Sequence, residues 1–199
     1  MVRKHTIGVI GIQGAVSEHI KILQKTNKNT ESKNNIIIVN HKDQIKKIDG
    51  LIIPGGESTT ISKILVKSNI YDEIKKRIND NNLAIMGTCS GCVLLGNALV
   101  KNNQEIKQLK AMDMTVKRNA FGRQKQSFEY DININGFSKP YSAVFIRAPI
   151  IEKVGNKCKI LSKIDKKIIM ARQDRYLALS FHPELTDDFR IHKLFLDMI

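Results

Sequence analysis

Four short apolar runs punctuate the N-terminal half of this chain: HTIGVIGI, IIIVN, GLIIP and LAIMGT. A strand that keeps one face in water alternates polar with apolar residues, so runs that are apolar at consecutive positions call for cover on both faces. The segments between them supply it. AVSEHIKILQK places Val16, Ile20 and Leu23 near helical spacing, and ESTTISKILVK, YDEIKKRIND and SGCVLLGNAL also read as helices. A polar loop, KTNKNTESKNN (residues 25–35), and a short amphipathic piece flank the second strand. Strand and helix in alternation predict a parallel sheet between two helical layers.

From MDMTVKRN onward the pattern turns to strands, SFEYDINI, SAVFIRAP, CKILSKI, KIIMARQ and YLALSF, before a closing helix, DDFRIHKLFLDMI. No repeat and no linker separates the halves, so residues 1–199 read as one domain. The fold expected is an α/β three-layer sandwich whose mostly parallel central sheet carries an antiparallel extension. In open sheets of this kind ligands sit beyond the carboxyl ends of the parallel strands. The loops after GVIGI, GLIIP and LAIMGT are therefore the ones to inspect.

Bulk properties exclude several classes of function. Hydrophobic residues make up 42% of the 199, enough for a substantial core. The net charge of +14 raises a polyanionic partner. Yet the lysines of KDQIKKIDG, YDEIKKRIND and SKIDKKII lie on polar sides of amphipathic segments with acids among them. Aromatic residues, at 6%, are not interleaved with a basic block as a nucleic-acid stacking platform requires. The expectation is a solvated basic surface without nucleic acid, a partner with an acidic face staying open. No apolar run approaches the roughly 20 residues of a membrane span. Three cysteines suit a reducing compartment, and the cytoplasm is the expected location.

Nucleotide motifs are missing: GVIGIQGA has no G-x-G-x-x-G, and no G-x-x-x-x-G-K-[ST] occurs. In PGGESTT, Gly55 and Gly56 let a ligand approach the backbone and Ser58 is placed to cap the following helix. GTCSG has the G-x-C-x-G form of a nucleophile elbow, with Gly87 and Gly91 around Cys89. There the helix N-terminus favours a thiolate, and the amide of Ser90 points toward a developing oxyanion. Cys92, three residues on, keeps a dithiol redox pair or half a zinc site in view.

A nucleophilic cysteine needs a base, and the base needs an orienting group. YLALSFHPEL ends a strand with His182 and Glu184 two apart, on one face of an extended chain, and Pro183 keeps His182 out of helix. His5, His19, His41 and His192 show no matching arrangement. A metal site of His182, Glu184, Asp187 and His192 matches no standard zinc spacing, so no metal is expected.

The segments GVIGIQGAVSEH, GLIIPGGESTT, GTCSG, RNAFGRQKQSFE, VFIRAP and SFHPELTDDFRIHKLF run essentially end to end. In this order they resemble the class I (triad-type) glutamine amidotransferases, and among them the glutaminase subunits of two-component pyridoxal 5'-phosphate synthases. The resemblance implies a flavodoxin-like class I amidotransferase fold. It implies that Cys89 attacks the side-chain amide of glutamine, that His182 is general base and then acid, and that Glu184 orients His182. Gly55, Gly56 and Glu57 would contact glutamine, with Arg118, Ile146 and Arg147 completing its site. Amides near Gly56 and Ser90 would form the oxyanion hole, adjusted by the segment around Gln13. The partner implied is a (β/α)8-barrel synthase subunit in a large hetero-oligomer, which receives the ammonia; no cofactor is implied for this chain.

The residues themselves add that Arg118 and Arg147 suit an amino-acid carboxylate and Glu57 its ammonium. Three departures from the family pattern stand out: the long loop 25–35, Cys92 where an aliphatic residue is usual, and QLKAMDM, which lacks an expected glycine near Lys110. Two other classes stay on the table, a thiol-disulfide oxidoreductase using Cys89 and Cys92 and a noncatalytic basic binding protein.

Overall fold

The structure, a computed structural model, describes residues 4–31, 33–100, 106–121 and 127–199. Residues 122–126 of RNAFGRQKQSFE and Ser32 of the polar loop lie outside the described residues. In chain order the first half comprises β1 (Thr6–Ile10), α1 (Val16–Asn29), β2 (Asn35–Val39), α2 (Lys42–Ile45) and β3 (Gly50–Ile53). It continues through α3 (Ser58–Lys67), α4 (Ile70–Asn79), β4 (Ala84–Thr88) and α5 (Ser90–Leu95). The next eight elements are all strands, the first seven being β5 (Ala98–Leu99), β6 (Met114–Lys117), β7 (Ser127–Ile132), β8 (Tyr141–Ile146), β9 (Ile150–Val154), β10 (Lys159–Ile164) and β11 (Lys167–Gln173). The eighth is β12 (Tyr176–Leu179), followed by a 3-10 turn, Pro183–Leu185, and α6 (Arg190–Leu196).

The main sheet runs β2-β1-β3-β4-β12-β11-β9-β6-β5, with β10 paired to β11. Its first five strands are all parallel, and β11, β9 and β10 join antiparallel. Period-two geometry sends successive residues of each parallel strand to opposite cores. Leu51, Ile53, Ile85 and Ala178 meet Ile61, Leu65 and Ile74 of α3 and α4 on one face. Ile52, Met86, Leu177 and Leu179 meet Leu23 of α1 and Ile191 and Phe195 of α6 on the other. This is the three-layer α/β sandwich expected, with its antiparallel extension.

Four local expectations need correcting. β7 and β8, read as part of the extension, form a separate two-stranded sheet. Tyr141, Ala143 and Phe145 of β8 pack with Phe181 on the α1/α6 face, so this hairpin completes a layer that two helices alone leave open. Residues 25–35 are not all loop, because α1 continues to Asn29 with Thr26 buried and its hydroxyl donating to the Ile22 carbonyl at 2.8 Å. The helix expected through Leu99 stops at Leu95: Gly96 is extended, and the Gln108 amide takes the Val93 carbonyl at 2.9 Å in the last turn. Finally, IIEKV is a strand, β9, that the sequence reading passed over.

The glycine missing near Lys110 has a structural counterpart. Lys110 has φ +52°, the left-handed region that disfavours a side chain, in a connector whose neighbours Leu109 and Ala111 donate to carbonyls of Leu94 and Leu95. Replacing Lys110 with glycine is expected to raise unfolding stability by about 0.5–1 kcal/mol, the left-handed penalty less the extra chain entropy of glycine. Urea denaturation checks it.

Candidate active site

Three parallel strands that stop at one edge build the site. Ile53 of β3 lies beside Gly87 of β4, and Thr88 of β4 lies beside Leu179 of β12. The chain leaving each strand therefore enters the same space: Pro54–Glu57 after β3, Cys89 after β4 and His182 after β12. The loop after β1 adds Gln13, whose side-chain oxygen accepts from the Glu57 amide at 3.1 Å.

Between β4 and α5 the chain turns at Cys89, which takes φ +50°, ψ −103° while its amide donates to the Leu179 carbonyl at 2.8 Å. Such a conformation is strained in a residue with a side chain and persists only where its surroundings enforce it. The flanking glycines are part of that enforcement. A Cβ on Gly87 would lie 2.5 Å from the Gly91 backbone, and one on Gly91 would lie 2.1 Å from the Ile53 carbonyl oxygen. The turn thus holds the Cys89 thiol up into the cavity, where it donates weakly to the Ile146 carbonyl at 3.7 Å.

His182 Nδ1 is 2.8 Å from Glu184 Oε1, and the ring lines the same cavity as Cys89. The sequence expectation of an extended His-Pro-Glu needs amending, since Glu184 sits within the 3-10 turn and it is this turn that folds its carboxylate back onto the ring. Burial opposes a charge on His182, but the hydrogen bonds with Cys89 and with Glu184 raise its pKa well above the ordinary value. Burial likewise opposes ionisation of Glu184, and His19 and His182 on its two sides keep its pKa below the ordinary value.

These groups open onto a cavity of about 440 Å³ lined by Gln13, Gly55, Gly56, Glu57, Cys89, Ser90, Arg118, Ile146, Arg147 and His182. Every site residue named from the sequence lines it except Glu184, which stands behind His182. Asn119, Val93, Pro149 and Leu185 line it too and were not anticipated. Asn119 and Arg147 both have positive φ, +47° and +46°, a cost that sequence alone does not display. The Ala120 amide donates to the Ala148 carbonyl at 3.0 Å, which ties the Arg118 and Arg147 segments side by side.

Glu57 differs from expectation. It, and not Ser58, is the N-cap of α3, accepting from the amides of Thr59 at 3.2 Å and Thr60 at 2.7 Å. Ser58 is already the first helical residue, and the Glu57 carboxylate folds back over it to the two amides. Glu57 also pairs with Arg118 at 3.2 Å. Burial works against its charge, yet the Thr60 and Thr59 contacts more than offset this and bring its pKa down to about 2.

Cys92 lies outside the cavity. It is fully buried in the core under α5, where burial pushes its thiol pKa far up, so it packs as a small apolar residue. The four-residue metal set does not converge. Asp187 is exposed beside Lys25, His192 turns to His19, and no group of three or more potential ligands occurs among the described residues. His19, passed over in the sequence, lies 3.4 Å from Glu184.

A parallel-sheet edge carrying an elbow cysteine, a histidine and a carboxylate is a reactive-thiol arrangement, and comparison with known proteins gives it a family. The SNO glutamine amidotransferase family model matches residues 9–199. The chain belongs to that family. It is 45% identical to the pyridoxal 5'-phosphate synthase subunit PdxT of Niallia circulans, over 97% of each sequence. It is 43% identical to the protein of the same name from Pyrococcus furiosus, covering 97% of this chain and 98% of that one. A crystal structure of a glutamine amidotransferase matches it with TM-score 0.86 and 38% identity over 96% of this chain and 97% of the other. A glutamine amidotransferase from Thermotoga maritima, at 11% identity, shares the fold with TM-score 0.62 over 98% of this chain and 84% of that one.

In this amidotransferase the cap at Glu57 carries a pH signature. Its folded pKa of about 2 lies below the roughly 4.3 of an unfolded glutamate, so its contribution is complete above the unfolded value and is lost as pH falls through the folded one. Glu57→Ala is expected to cost about 1 kcal/mol at neutral pH, a typical cap loss. The difference from wild type should shrink as pH drops toward 2, followed by urea denaturation across pH 2–6.

Proposed function

We propose that this chain is a glutaminase that hydrolyses L-glutamine through Cys89, His182 and Glu184 and passes the ammonia to a pyridoxal 5'-phosphate synthase partner. The observation that carries the chemistry is the strained elbow at Cys89 facing a histidine whose far nitrogen is held by a buried carboxylate. Glutamine enters the cavity with its α-carboxylate toward Arg118 and Arg147 and its ammonium toward Glu57. Gly55, Gly56 and Ile146 shape the slot for its side chain.

His182 takes the thiol proton as Sγ bonds to the amide carbon and the carbonyl π pair moves onto oxygen. The amides of Ser90, the first residue of α5, and of Gly56 stabilise that oxyanion, and Gln13 braces the loop from behind. The oxyanion collapses, the C–N bond breaks, and His182 gives its proton to the leaving nitrogen, releasing ammonia and a glutamyl thioester. His182 then deprotonates water, which adds to the thioester carbon. The C–S bond breaks, the thiolate regains a proton from His182, and glutamate leaves. Glu184 keeps the imidazolium oriented and charge-balanced throughout.

The pathway assignment is supported by the relatives, each named a pyridoxal 5'-phosphate synthase subunit. The partner in this reading is a (β/α)8-barrel synthase in a cytoplasmic hetero-oligomer, and residues 1–199 act as one glutaminase domain. The +14 surface suits a partner with an acidic docking face. Among the described residues no helix is long and apolar enough to cross a membrane.

Glutamate release from glutamine, with and without a synthase subunit, tests the reading. Wild type should turn over with the partner present, Cys89→Ala should not, and Cys92→Ala should match wild type. Equal inactivity of wild type and Cys89→Ala beside a competent synthase would overturn it, and loss on Cys92→Ala would favour dithiol chemistry. A Cβ at Gly55 would sit 2.4 Å from His182 Cε1 and 3.2 Å from Cys89 Cβ. Gly55→Ala is therefore expected to lower kcat/KM by about 100-fold through displacement of the imidazole, at nearly unchanged thermal stability.

A further inference from the structure

On the side of Glu184 away from the cavity lie two histidines that the chemistry above does not use. His19 of α1 and His192 of α6 are both fully buried. His192 Nε2 is 3.1 Å from His19 Nδ1. His19 Nε2 faces Glu184 Oε2 and Thr88 Oγ1, each at 3.4 Å. Glu184 Oε2 and His192 Nδ1 are buried and accept or donate no aligned hydrogen bond.

The two orphan atoms settle the tautomers. A buried ring nitrogen without a proton is a weaker liability than a buried N–H without an acceptor, so His192 Nδ1 is the bare one and its proton is on Nε2. That proton goes to His19 Nδ1, which leaves the His19 proton on Nε2, where Thr88 Oγ1 takes it with Glu184 Oε2 at the same 3.4 Å. Burial lowers the pKa of both rings, in keeping with a neutral pair.

We propose that His19 is a positioning residue of the hydrolytic site: its Nε2 edge, 3.4 Å from the second oxygen of Glu184, braces the carboxylate, and His192 fixes the tautomer that turns an N–H and not a lone pair toward it. The proposal rests on the roles given above to Cys89, His182 and Glu184. Held at one oxygen only, a carboxylate can swing about its terminal bond and carry His182 off line; held at both, it cannot. The charged or titratable groups around His19 are Glu184 and His182 at the turn, His192 on α6 and Glu18 on its own helix. Of these, His19 brings a ring nitrogen to 3.4 Å from Oε2.

The test compares His19→Asn with His19→Gln in the full chain. Both keep an amide in the pocket, but only glutamine extends as far as Nε2. Two readouts are taken: partner-activated glutamate release, and the pH dependence of Cys89 alkylation by iodoacetamide, which needs no partner. His19→Asn should lose about 10- to 100-fold in kcat, the effect of one missing polar contact to a buried charge, with KM unchanged. The acid limb of its alkylation profile should move up by about half a pH unit or more, because Glu184 ionises less readily without that donor. His19→Gln should recover most of both.

If asparagine and glutamine behave alike, or if asparagine lowers Tm without moving the alkylation profile, His19 is core packing and the proposal falls. Glu184→Gln separates this from the underlying reading: if it too is harmless, the Glu184 role itself is wrong. Should His19→Asn not fold, nitrogen-15 spectra of the wild-type histidines decide. A His19 proton on Nε2 at neutral pH supports the assignment, and one on Nδ1 overturns it.

Discussion

The pairing of β4 with β3 on one side and β12 on the other, all parallel, is the constraint on which the rest depends. Parallel register ends the three strands at one edge, so Gly55, Cys89 and His182 converge although they come from distant parts of the chain. The convergence is tight enough to forbid side chains at Gly87 and Gly91, and one at Gly55 would displace His182. It also explains why the strain at Cys89 is tolerated. The residue is gripped by its own hydrogen bond to β12 and by a glycine contact to β3, so relaxing it would disturb three core strands at once.

The same register accounts for what was legible in the sequence. Apolar runs such as GLIIP and LAIMGT have to be interior strands, because hydrophobicity on both faces leaves no other place for them. Once they are parallel neighbours, the positions just after them are the site, and Gly55, Gly56, Cys89 and Gln13 follow without knowledge of side-chain contacts. Arg118 and Arg147 were not accessible this way. They lie in loops of the second half, and family resemblance alone pointed to them; what holds them together is a backbone hydrogen bond between Ala120 and Ala148 that leaves no trace in residue type.

Misjudged features share a physical cause, namely that a long-range or unusual contact overrode the local pattern. Ser58 has the residue type of a cap, but Glu57 reaches back over the first turn and takes both amides. SFEYDINI and SAVFIRAP alternate as strands of the main sheet would, yet their apolar side joins the core on the sheet face that α1 and α6 cover. His19 falls on the buried side of α1, at a helical spacing that a count of Val16, Ile20 and Leu23 leaves out. A histidine there reads as an interruption of an apolar stripe, and only the fold brings it to Glu184, 165 residues later in the chain.

What stands behind Glu184 bears on how a buried carboxylate can serve a buried imidazolium. Burying the pair costs solvation that their mutual attraction repays only when the remaining lone pairs are also satisfied. A lysine or arginine behind Oε2 would satisfy them, but it would also neutralise the carboxylate and weaken its hold on the His182 charge as the thiol gives up its proton. A neutral imidazole turns an N–H edge toward the carboxylate and adds no net charge, so it braces the carboxylate while leaving its charge for His182. The second neutral ring extends the same logic by pinning the tautomer without a cation. Burial of both histidines at 0% exposure is thus a condition of their usefulness, because a wet imidazole beside a carboxylate would become charged and compete for the interaction it is there to direct.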